Sequence, residues 1–258
     1  MSDVGVLDKV MAILESFPNG VRRMDPPAMA KALGISTPTA YRLMKGMAAH
    51  GLLEQDVHGY RLGVTLLHLG SRVADGLDVR HVARAHMEWL RDQTSENAEL
   101  HLRHGHNRVP IEVVPSPLNL RPMGQVGVPL PVYGGASAKV LLAWLEPDER
   151  ASLALASHQR DGGDHPFDGA TFERRLTATR EQGYAVSDGE REPGVAAVAA
   201  PIRDRFGGVV AAMVLSAPSA RLKKKAARNA GITATVEAAA RVSRDLGHVD
   251  RDPARQSA

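Results

Sequence analysis

The sequence predicts an α+β protein that contains two domains. The chain has 258 residues, and single cores tend to divide beyond about 250 residues, so two domains fit the length better than one. Apolar residues at helical spacing dominate the first 50 residues, and strand-like alternation appears in several later segments. Hydrophobic residues make up 43% of the chain and charged residues 24%, a balance that supports a folded core rather than disorder.

Three helices and a hairpin are predicted at the start of the chain. Apolar residues at helical spacing define a first helix within residues 4–17, Pro26 opens a second and Ser36 caps a third. The hydrophobic period then changes to that of two short strands in residues 51–63. This order is that of a winged helix-turn-helix, which we expect to occupy residues 1–63.

A linker helix is predicted at residues 64–76, before a second domain at residues 77–247. Val64, Leu67 and Val73 form an apolar stripe on this helix. The stripe is too long to bury against so small a first domain, so it predicts contact with a second copy of the chain.

The second domain is predicted to combine an antiparallel sheet with helices. Strands at residues 99–103 and 108–114 flank one turn, and strands at residues 196–202 and 209–216 flank another. The remaining predicted elements are helices at residues 79–94, 136–145, 172–182 and 220–246 and an extended run at residues 124–132. Residues 248–258 are polar and are expected to fray.

Composition excludes several classes of protein. The absence of cysteine excludes disulfides and thiolate metal sites, which fits a reducing compartment. The first residues do not resemble a signal peptide, and no run reaches the roughly 18 apolar residues of a membrane span. We therefore expect a cytoplasmic protein with no membrane partner. The net charge of +3 is too small to indicate nucleic-acid binding by itself.

Basic side chains nevertheless concentrate in the predicted helix-turn-helix. On the third helix Arg42 and Lys45 point away from the apolar arc, with Thr39 and Tyr41 at its flanks. Such a face fits a major groove about 12 Å wide, where Arg can read guanine. Phosphate contacts are predicted from the preceding loop and the wing, at Arg22, Arg23, His58 and Arg61. The alternative is a solvated helix with ordinary surface charges, which the three helices and hairpin make the less favoured interpretation.

A histidine cluster offers a weaker candidate for a metal site. His101, His104 and His106 are close in sequence, and imidazole is a common metal ligand. However, on a strand-turn-strand unit only His101 and Arg103 share a face, and the cation opposes metal binding. Polar residues at a hairpin tip are the favoured interpretation, and no metal is predicted.

No catalytic constellation or cofactor loop is present. Asp188, Glu190 and Glu192 have the chemistry for acid–base catalysis or ligand capture, but no nucleophile accompanies them, so a solvated loop is favoured. Residues 135–139 match neither a nucleophile elbow nor a phosphate loop. They do place small residues at a helix start, which suits either anion binding or simple packing against a sheet. We predict no catalytic residue and no cofactor.

Five segments between about Val6 and Arg221 resemble the IclR family of bacterial transcriptional regulators. They are LDKVMAILESF, LGISTPTAYRLMKGMAAHGLLEQD, GYRLGVTLLHLG, GGASAKVLLAWL and GYAVSDGEREPGVAAVAAPIRDRFGGVVAAMVLSAPSAR. The last segment is the most specific. The resemblance implies that the winged helix-turn-helix binds operator DNA as a dimer. It also implies that the C-terminal domain, similar to the GAF fold with an antiparallel sheet flanked by helices, binds a small molecule.

The resemblance also implies site residues. The family's recognition helix corresponds to residues 37–49, where Thr37 stands at a frequently basic position and Thr39 and Arg42 match DNA-facing positions. The family's effector pocket corresponds to Ala136, Ser137, Asp188, Ala197, Val214 and Ser216, with Met123 nearby. Family effectors are often small carboxylates or aromatic acids, and the small and apolar side chains here suit a partly apolar ligand.

The predicted function is sequence-specific DNA binding for transcriptional regulation, with operator affinity linked to a small-molecule effector. The protein is expected to be a homodimer or homotetramer, and family precedent favours repression over activation. Two alternatives stay open. One is a ligand-handling enzyme built on the C-terminal domain, with Asp188 or Glu190 as base. The other is a DNA-binding protein whose second domain dimerises without sensing a ligand.

Overall fold

The computed structural model describes residues 5–17, 23–75, 78–122, 124–161 and 167–249. For residues 71–75 and 78 only the backbone is described. Arg22, Met123 and residues 250–258, which the sequence pattern singled out, lie outside the described residues. The chain divides into two compact units, Met1–Gly76 and Leu77–Ala258.

The described residues of the first unit form four helices and a hairpin. In chain order its elements are α1 (Val6–Glu15), α2 (Pro26–Leu33), α3 (Thr37–Ala49), β1 (Leu53–Asp56), β2 (Gly59–Leu62) and α4 (Val64–Asp75). This order agrees with the prediction from sequence. One strand-like contact was not predicted, because Met24 and Tyr60 exchange backbone hydrogen bonds of 2.8 and 2.9 Å and thereby extend the hairpin.

Side-chain caps and a glycine turn set the helix-turn-helix geometry. The Asp25 carboxylate accepts a hydrogen bond of 2.7 Å from the Ala28 amide at the start of α2. Between α2 and α3, Gly34 has a φ of +64°, which glycine adopts without strain. The unit is held by a buried apolar cluster comprising Ile13, Met29, Met44, Met47, Leu53 and Tyr60. Because Met44 and Met47 face this core, the opposite side of α3 faces solvent.

The second unit consists of an antiparallel sheet between helices. Its elements are α5 (Asp78–Thr94), β3 (Asn97–His104), β4 (Asn107–Val114), β5 (Leu130–Pro131), α6 (Ala136–Ala143), α7 (Pro147–Arg160), α8 (Gly169–Gln182), β6 (Ala185–Asp188), β7 (Val195–Arg203), β8 (Val209–Pro218), α9 (Ser219–Leu222) and α10 (Lys225–Asp245). The strand order is β5-β4-β3-β8-β7-β6, and every neighbouring pair is antiparallel.

Strand alternation gives the sheet two different faces. One face packs against α5 and α10 around a cluster that includes Met87, Met213 and Val242. The other face packs against α6 through residues such as Val140 and Val214. A third cluster joins α6 to α7 and α8. The start of α6 is thereby held over the sheet.

The structure differs from the predicted elements in four places. The sequence pattern missed α7, whose buried residues are Arg150, Ala154 and Ser157 and therefore form no apolar stripe. It also missed β6, which has only four residues. The extended run at residues 124–132 contains only the two-residue β5. The predicted terminal helix is divided into α9 and α10, because Lys224 adopts an extended backbone. No helix among the described residues has the length and apolar composition needed to cross a bilayer.

Candidate functional site

The solvent face of α3 carries two cations that no carboxylate of the described residues neutralises. Arg42 and Lys45 are exposed, and neither forms an ion pair with another described residue. The Tyr41 ring is 47% exposed, and its centroid lies 6.0 Å from Lys45 Nζ. These groups are available to an external anionic partner, as the helical pattern predicts.

The two threonines at the start of α3 differ in their freedom. Thr37 is exposed. The Thr39 hydroxyl shares a hydrogen bond of 2.8 Å with the Ser36 hydroxyl, and the Thr39 amide donates to the same oxygen at 3.3 Å. Part of the hydrogen-bonding capacity of Thr39 is therefore used to cap its own helix.

Two of the predicted phosphate contacts, Arg23 before α2 and Arg61 in the wing, are paired with carboxylates. Arg23 Nε lies 2.7 Å from an Asp56 oxygen, and Arg61 Nη2 lies 2.5 Å from a Glu54 oxygen. The pKa of Asp56 is lowered to about 2, because Arg23 and the His58 amide donate hydrogen bonds to its carboxylate. His58 itself is exposed. For Arg23 or Arg61 to bind a phosphate, the phosphate must compete with a carboxylate, which the sequence pattern did not reveal.

Apolar side chains are exposed on two helices of the first unit. Val64 is 66% and Leu67 is 73% exposed on α4, and Val6 and Leu7 are similarly exposed on α1. The Val73 side chain lies outside the described part of the chain. Exposed apolar groups on neighbouring turns are typical of a surface that another chain covers.

A cavity of about 210 Å³ lies between the start of α6 and the sheet of the second unit. Five residues of the predicted effector pocket line this cavity: Ala136, Ser137, Ala197, Val214 and Ser216. The small side chains of Ala136 and Ala197 leave this space open. The sixth described member of that set, Asp188, does not line it.

The placement of Asp188 corrects the sequence-based expectation. Along β6, Ala185 and Ser187 are buried, whereas Asp188 is exposed. Because strand residues alternate between faces, Ser187 lines the cavity and the Asp188 side chain points away from it. The acidic residue that reaches the start of α6 is instead Glu190, which accepts a hydrogen bond of 3.2 Å from the Gly135 amide.

An irregularity in β4 turns Arg108 toward the cavity. Leu100 pairs with Glu112, but the next residue, His101, pairs with Pro110, so β4 contains an extra residue at this point. Because of the extra residue, even-numbered side chains on the two sides of the bulge point to opposite faces of the sheet. Glu112 therefore binds Arg80 and Arg84 of α5, whereas Arg108 lines the cavity on the opposite face.

Arg108 is the centre of a buried hydrogen-bond network. Its Nη1 atom donates to the Ser137 hydroxyl at 3.0 Å and to His101 Nδ1 at 3.2 Å. His101 Nε2 donates in turn to Glu99 Oε2 at 2.9 Å. Glu99 also accepts a hydrogen bond from the Ser216 hydroxyl. This arrangement assigns His101 to the neutral tautomer that carries its proton on Nε2, because Nδ1 is an acceptor.

Burial and neighbouring charges determine the protonation states in the network. Burial lowers the pKa of His101, and the charges of Arg108 and Arg191 lower it further, although Glu99 opposes this change. Burial also lowers the pKa of Arg108 to about 10, which leaves its guanidinium charged at neutral pH. Burial raises the pKa of Glu99, but hydrogen bonds from His101 and Ser216 and the charge of Arg108 outweigh that effect and lower it. Among the described charged residues that line the cavity, Arg108 is a buried cation and Glu99 a buried anion, whereas Glu190, Arg191 and Glu192 are exposed.

A second charged pair lies at the edge of the cavity. Lys139 Nζ, on α6, is 2.5 Å from a Glu190 carboxylate oxygen and 2.9 Å from the Val186 carbonyl oxygen. Burial lowers the pKa of Lys139, and contact with Glu190 opposes that change. Glu190 is therefore engaged in holding the chain segment after β6 against α6.

The three histidines are not brought together. His101 is buried in the cavity wall, whereas His104 is exposed at the hairpin. Among the described residues no group of three or more His, Asp or Glu side chains is placed to hold a metal ion.

The sequence pattern considered His101 as a polar residue near a hairpin tip and did not indicate that it, Glu99, Arg108 and Ser187 line a cavity. Alternation along β3, with buried Ala98 and Leu100 on one face, was a usable signal that Glu99 and His101 share the other face. Arg108 gave no such signal, because its orientation depends on the bulge.

Both units match known families. Residues 6–57 match the family model described as the IclR helix-turn-helix domain. Residues 71–244 match the model described as the C-terminal domain of bacterial IclR transcriptional regulators. This chain belongs to the IclR family. The predicted family and the α+β fold class, with its helix-turn-helix and its antiparallel sheet flanked by helices, are confirmed.

Relatives of this IclR-family chain are regulators. The HTH-type transcriptional regulator XynR of Escherichia coli is 31% identical over 84% of this chain and 87% of its own length. The glycerol operon regulatory protein of Streptomyces griseus is 31% identical over 93% of this chain and 96% of its own length. An IclR homolog from Microbacterium hydrocarbonoxydans, solved in complex with 4-hydroxybenzoate, is 25% identical in sequence. Its structure superimposes on this one with a TM-score of 0.79, and the match covers 94% of this chain and 99% of the homolog. The prediction of a DNA-binding transcriptional regulator that is not an enzyme is confirmed.

Proposed function

We propose that this IclR-family regulator is a repressor whose operator affinity changes when a small carboxylate binds in the cavity between α6 and the sheet. Operator binding is assigned to the α3 face of Thr37, Thr39, Tyr41, Arg42 and Lys45. Phosphate contacts are assigned to Arg22, Arg23, His58 and Arg61. The effector residues are Ala136, Ser137, Ala197, Val214 and Ser216, with Met123 nearby. The protein acts on DNA in the cytoplasm.

Arg108 is the single observation that carries the choice of a carboxylate. Its guanidinium is buried, yet no described carboxylate lies within 4 Å of it. A buried charge without a counterion is costly, and a ligand carboxylate would supply the counterion. Ser137, in the first turn of α6, adds a hydroxyl group beside it, at the end of a helix that favours negative charge.

The size of the cavity supports a small effector. Its volume of about 210 Å³ is below the roughly 300–1,000 Å³ typical of sites for drug-sized ligands. Small apolar walls at Ala197 and Val214 suit the carbon skeleton of such an acid. The 4-hydroxybenzoate complex of the Microbacterium hydrocarbonoxydans homolog supports an aromatic acid as one member of this class.

A homodimer, or a homotetramer built from such dimers, is supported by the exposed apolar residues of α4. Burial of the exposed Val64 and Leu67 side chains against a second copy would stabilise the dimer. Repression is supported by a relative from Escherichia coli that is named DNA-binding transcriptional repressor YiaJ and is 28% identical over 94% of this chain.

The experiment is footprinting on the DNA that flanks the protein's own gene, without and with benzoate, 4-hydroxybenzoate, propionate and lactate. We expect a protected operator whose protection changes with at least one acid. Protection that no ligand changes, in a protein that binds these acids, would favour the non-sensing alternative.

A further inference from the structure

The start of α10 carries a dense group of cations that has no described counterion. Four exposed cations lie within six consecutive residues: Lys223, Lys224, Lys225 and Arg228. None of them forms an ion pair with another described residue, whereas the preceding Arg221 is held by a buried carboxylate. The four charges exceed the net charge of +3 of the whole chain. A chain that is nearly balanced in charge therefore has one strongly positive local surface.

These cations stand on a helix end that projects from the second unit. Every residue from 223 to 230, called the basic segment below, is exposed. A helix that packs along one side buries a residue every three or four positions, so this segment is not packed along any side. Buried residues fix both of its borders. Leu222 is 6% exposed, and a Cβ added at Gly231 would lie only 2.8 Å from Leu215 Cδ2.

The charges of the basic segment do not stabilise α10. Positive charge near the start of a helix opposes the helix dipole. Lys224 and Arg228 are also like charges four positions apart, a spacing at which they repel each other. No Asp or Glu occurs in residues 205–236, so no acidic residue of the helix compensates these cations. Their arrangement is unfavourable in the free protein, and a bound polyanion would offset the repulsion.

We propose that the basic segment is a second DNA-binding surface, which contacts the phosphate backbone without reading bases. DNA is the polyanion that this IclR-family regulator already binds through the helix-turn-helix of its first unit. The basic segment belongs to the second unit, to which the proposed function assigns only effector sensing. Because phosphates are the same in every sequence, this surface adds affinity rather than operator choice.

The other side chains of the basic segment favour DNA over a protein partner. Besides its four cations the segment contains only Ala226, Ala227, Asn229 and Ala230. Protein interfaces are anchored by large aromatic or apolar side chains and are depleted in lysine. Phosphate contacts need only cations and polar groups such as the Asn229 amide, and short alanine side chains allow the helix to approach the DNA backbone closely.

The test is fluorescence anisotropy of the full chain with a labelled duplex of random sequence over a salt series. Lys223→Gln, Lys224→Gln and Lys225→Gln are combined in one variant, the three-lysine variant, which removes three charges. The logarithm of the association constant falls with the logarithm of the salt concentration, by about 0.9 per neutralised phosphate. The slope of the variant should therefore be smaller by about two to three units, and its affinity at moderate salt about 10-fold lower or less.

Two matched variants separate this surface from an effect of net charge. Arg160→Gln, Arg205→Gln and Arg244→Gln, combined, remove the same charge from other exposed positions of the second unit. Arg244 lies at the opposite end of α10, roughly 30 Å along the helix. This arginine control should keep a slope close to that of the wild type. Replacing the three lysines by arginine keeps their charge and should also keep the wild-type slope.

Cross-linking locates the contact directly. Because the chain contains no cysteine, one introduced cysteine can carry a photoreactive group without competing labelling. Asn229→Cys places this group within the basic segment and should cross-link to the random-sequence duplex. Ala151→Cys, on the exposed surface of α7, should not.

Several results would overturn the second DNA surface. They are equal slopes for the wild type and the three-lysine variant, an equal loss in the arginine control, and no binding of the wild type to random duplex at low salt. Cross-linking of Asn229→Cys to protein but not to duplex would replace DNA by a protein partner. These measurements need neither an operator nor an acid, so failure of the proposed acid-responsive repression would leave this inference standing, and the reverse also holds.

Discussion

At the residue scale, Arg42 has the clearest expected effect on operator choice. It is exposed on α3, and no described carboxylate pairs with it. If Arg42 reads a base, Arg42→Ala should weaken operator binding by about 1–3 kcal/mol without changing the fold. A gel-shift titration measures this, and Arg160→Ala, which removes the same charge from the exposed surface of α7, is the control. Normal operator affinity in a folded Arg42→Ala variant would remove Arg42 from base readout.

Ala197 tests the sensor cavity without touching the DNA-binding face. Ala197→Leu places three more carbon atoms in a cavity of about 210 Å³ and should exclude the effector. The variant should still bind operator DNA but lose its response to the acid that acts on the wild type, as a gel shift with and without that acid measures. Ala151→Leu, on the exposed surface of α7, should respond normally. An identical response by Ala197→Leu would place the sensor elsewhere.

The site residues show how far sequence can specify individual side chains. Ser137, Ala197 and Ser216 were predicted through the family resemblance, and the structure brings them to one cavity. Asp188 was predicted through the same resemblance, but adjacent strand residues face opposite sides, and Ser187 is the one that lines the cavity. A sequence match identifies the segment, whereas the pleat of the strand decides which side chain reaches the ligand.

At the scale of elements, the wing should bind DNA more strongly once its own carboxylates are removed. Asp56 holds Arg23, so Asp56→Asn should free this cation for phosphate. We expect tighter binding to specific and non-specific DNA and a steeper salt dependence, by about one unit of slope. Fluorescence anisotropy over a salt series measures both, with Asp188→Asn as a control of equal charge change. Unchanged salt slopes would show that Arg23 does not contact the DNA phosphate backbone.

The linker helix α4 should control dimer formation. Leu67→Glu places a charge on its exposed apolar surface. Burying one leucine side chain stabilises the dimer by about 1.5–3 kcal/mol, and a twofold dimer buries Leu67 of both copies. The dimer dissociation constant should therefore rise about 100-fold or more. Sedimentation equilibrium at micromolar concentration measures this. Phe206→Glu, at an exposed loop of the second unit, is the control. A monomeric wild type, or an unaffected Leu67→Glu dimer, would contradict this role of α4.

Most elements of the first unit follow from local chemistry, but the cavity does not. Ser36 caps α3 as its position predicts, and Pro26 opens α2 as predicted, because such signals act within three residues. The bulge opposite Leu100 and His101 depends on pairing between strands, and no local signal announces it. That bulge decides whether Arg108 faces the cavity or α5, so the central cation of the site could not be predicted from sequence alone.

At the scale of the whole molecule, the proposed regulation requires coupling between two sites. An effector changes operator affinity only if it binds the DNA-bound and DNA-free forms with different affinities. Coupling free energies of this kind are typically about 1–3 kcal/mol, or about 5- to 150-fold in affinity. Linkage also requires reciprocity, so bound operator must change effector affinity by the same factor.

Reciprocal titration tests this coupling most directly. Operator affinity is measured by anisotropy without and with saturating acid, and acid affinity is measured by calorimetry without and with saturating operator. We expect the two ratios to agree and to lie between about 5 and 150. Binding of both ligands to the same protein with both ratios equal to one would contradict the proposal that the cavity between α6 and the sheet regulates DNA binding.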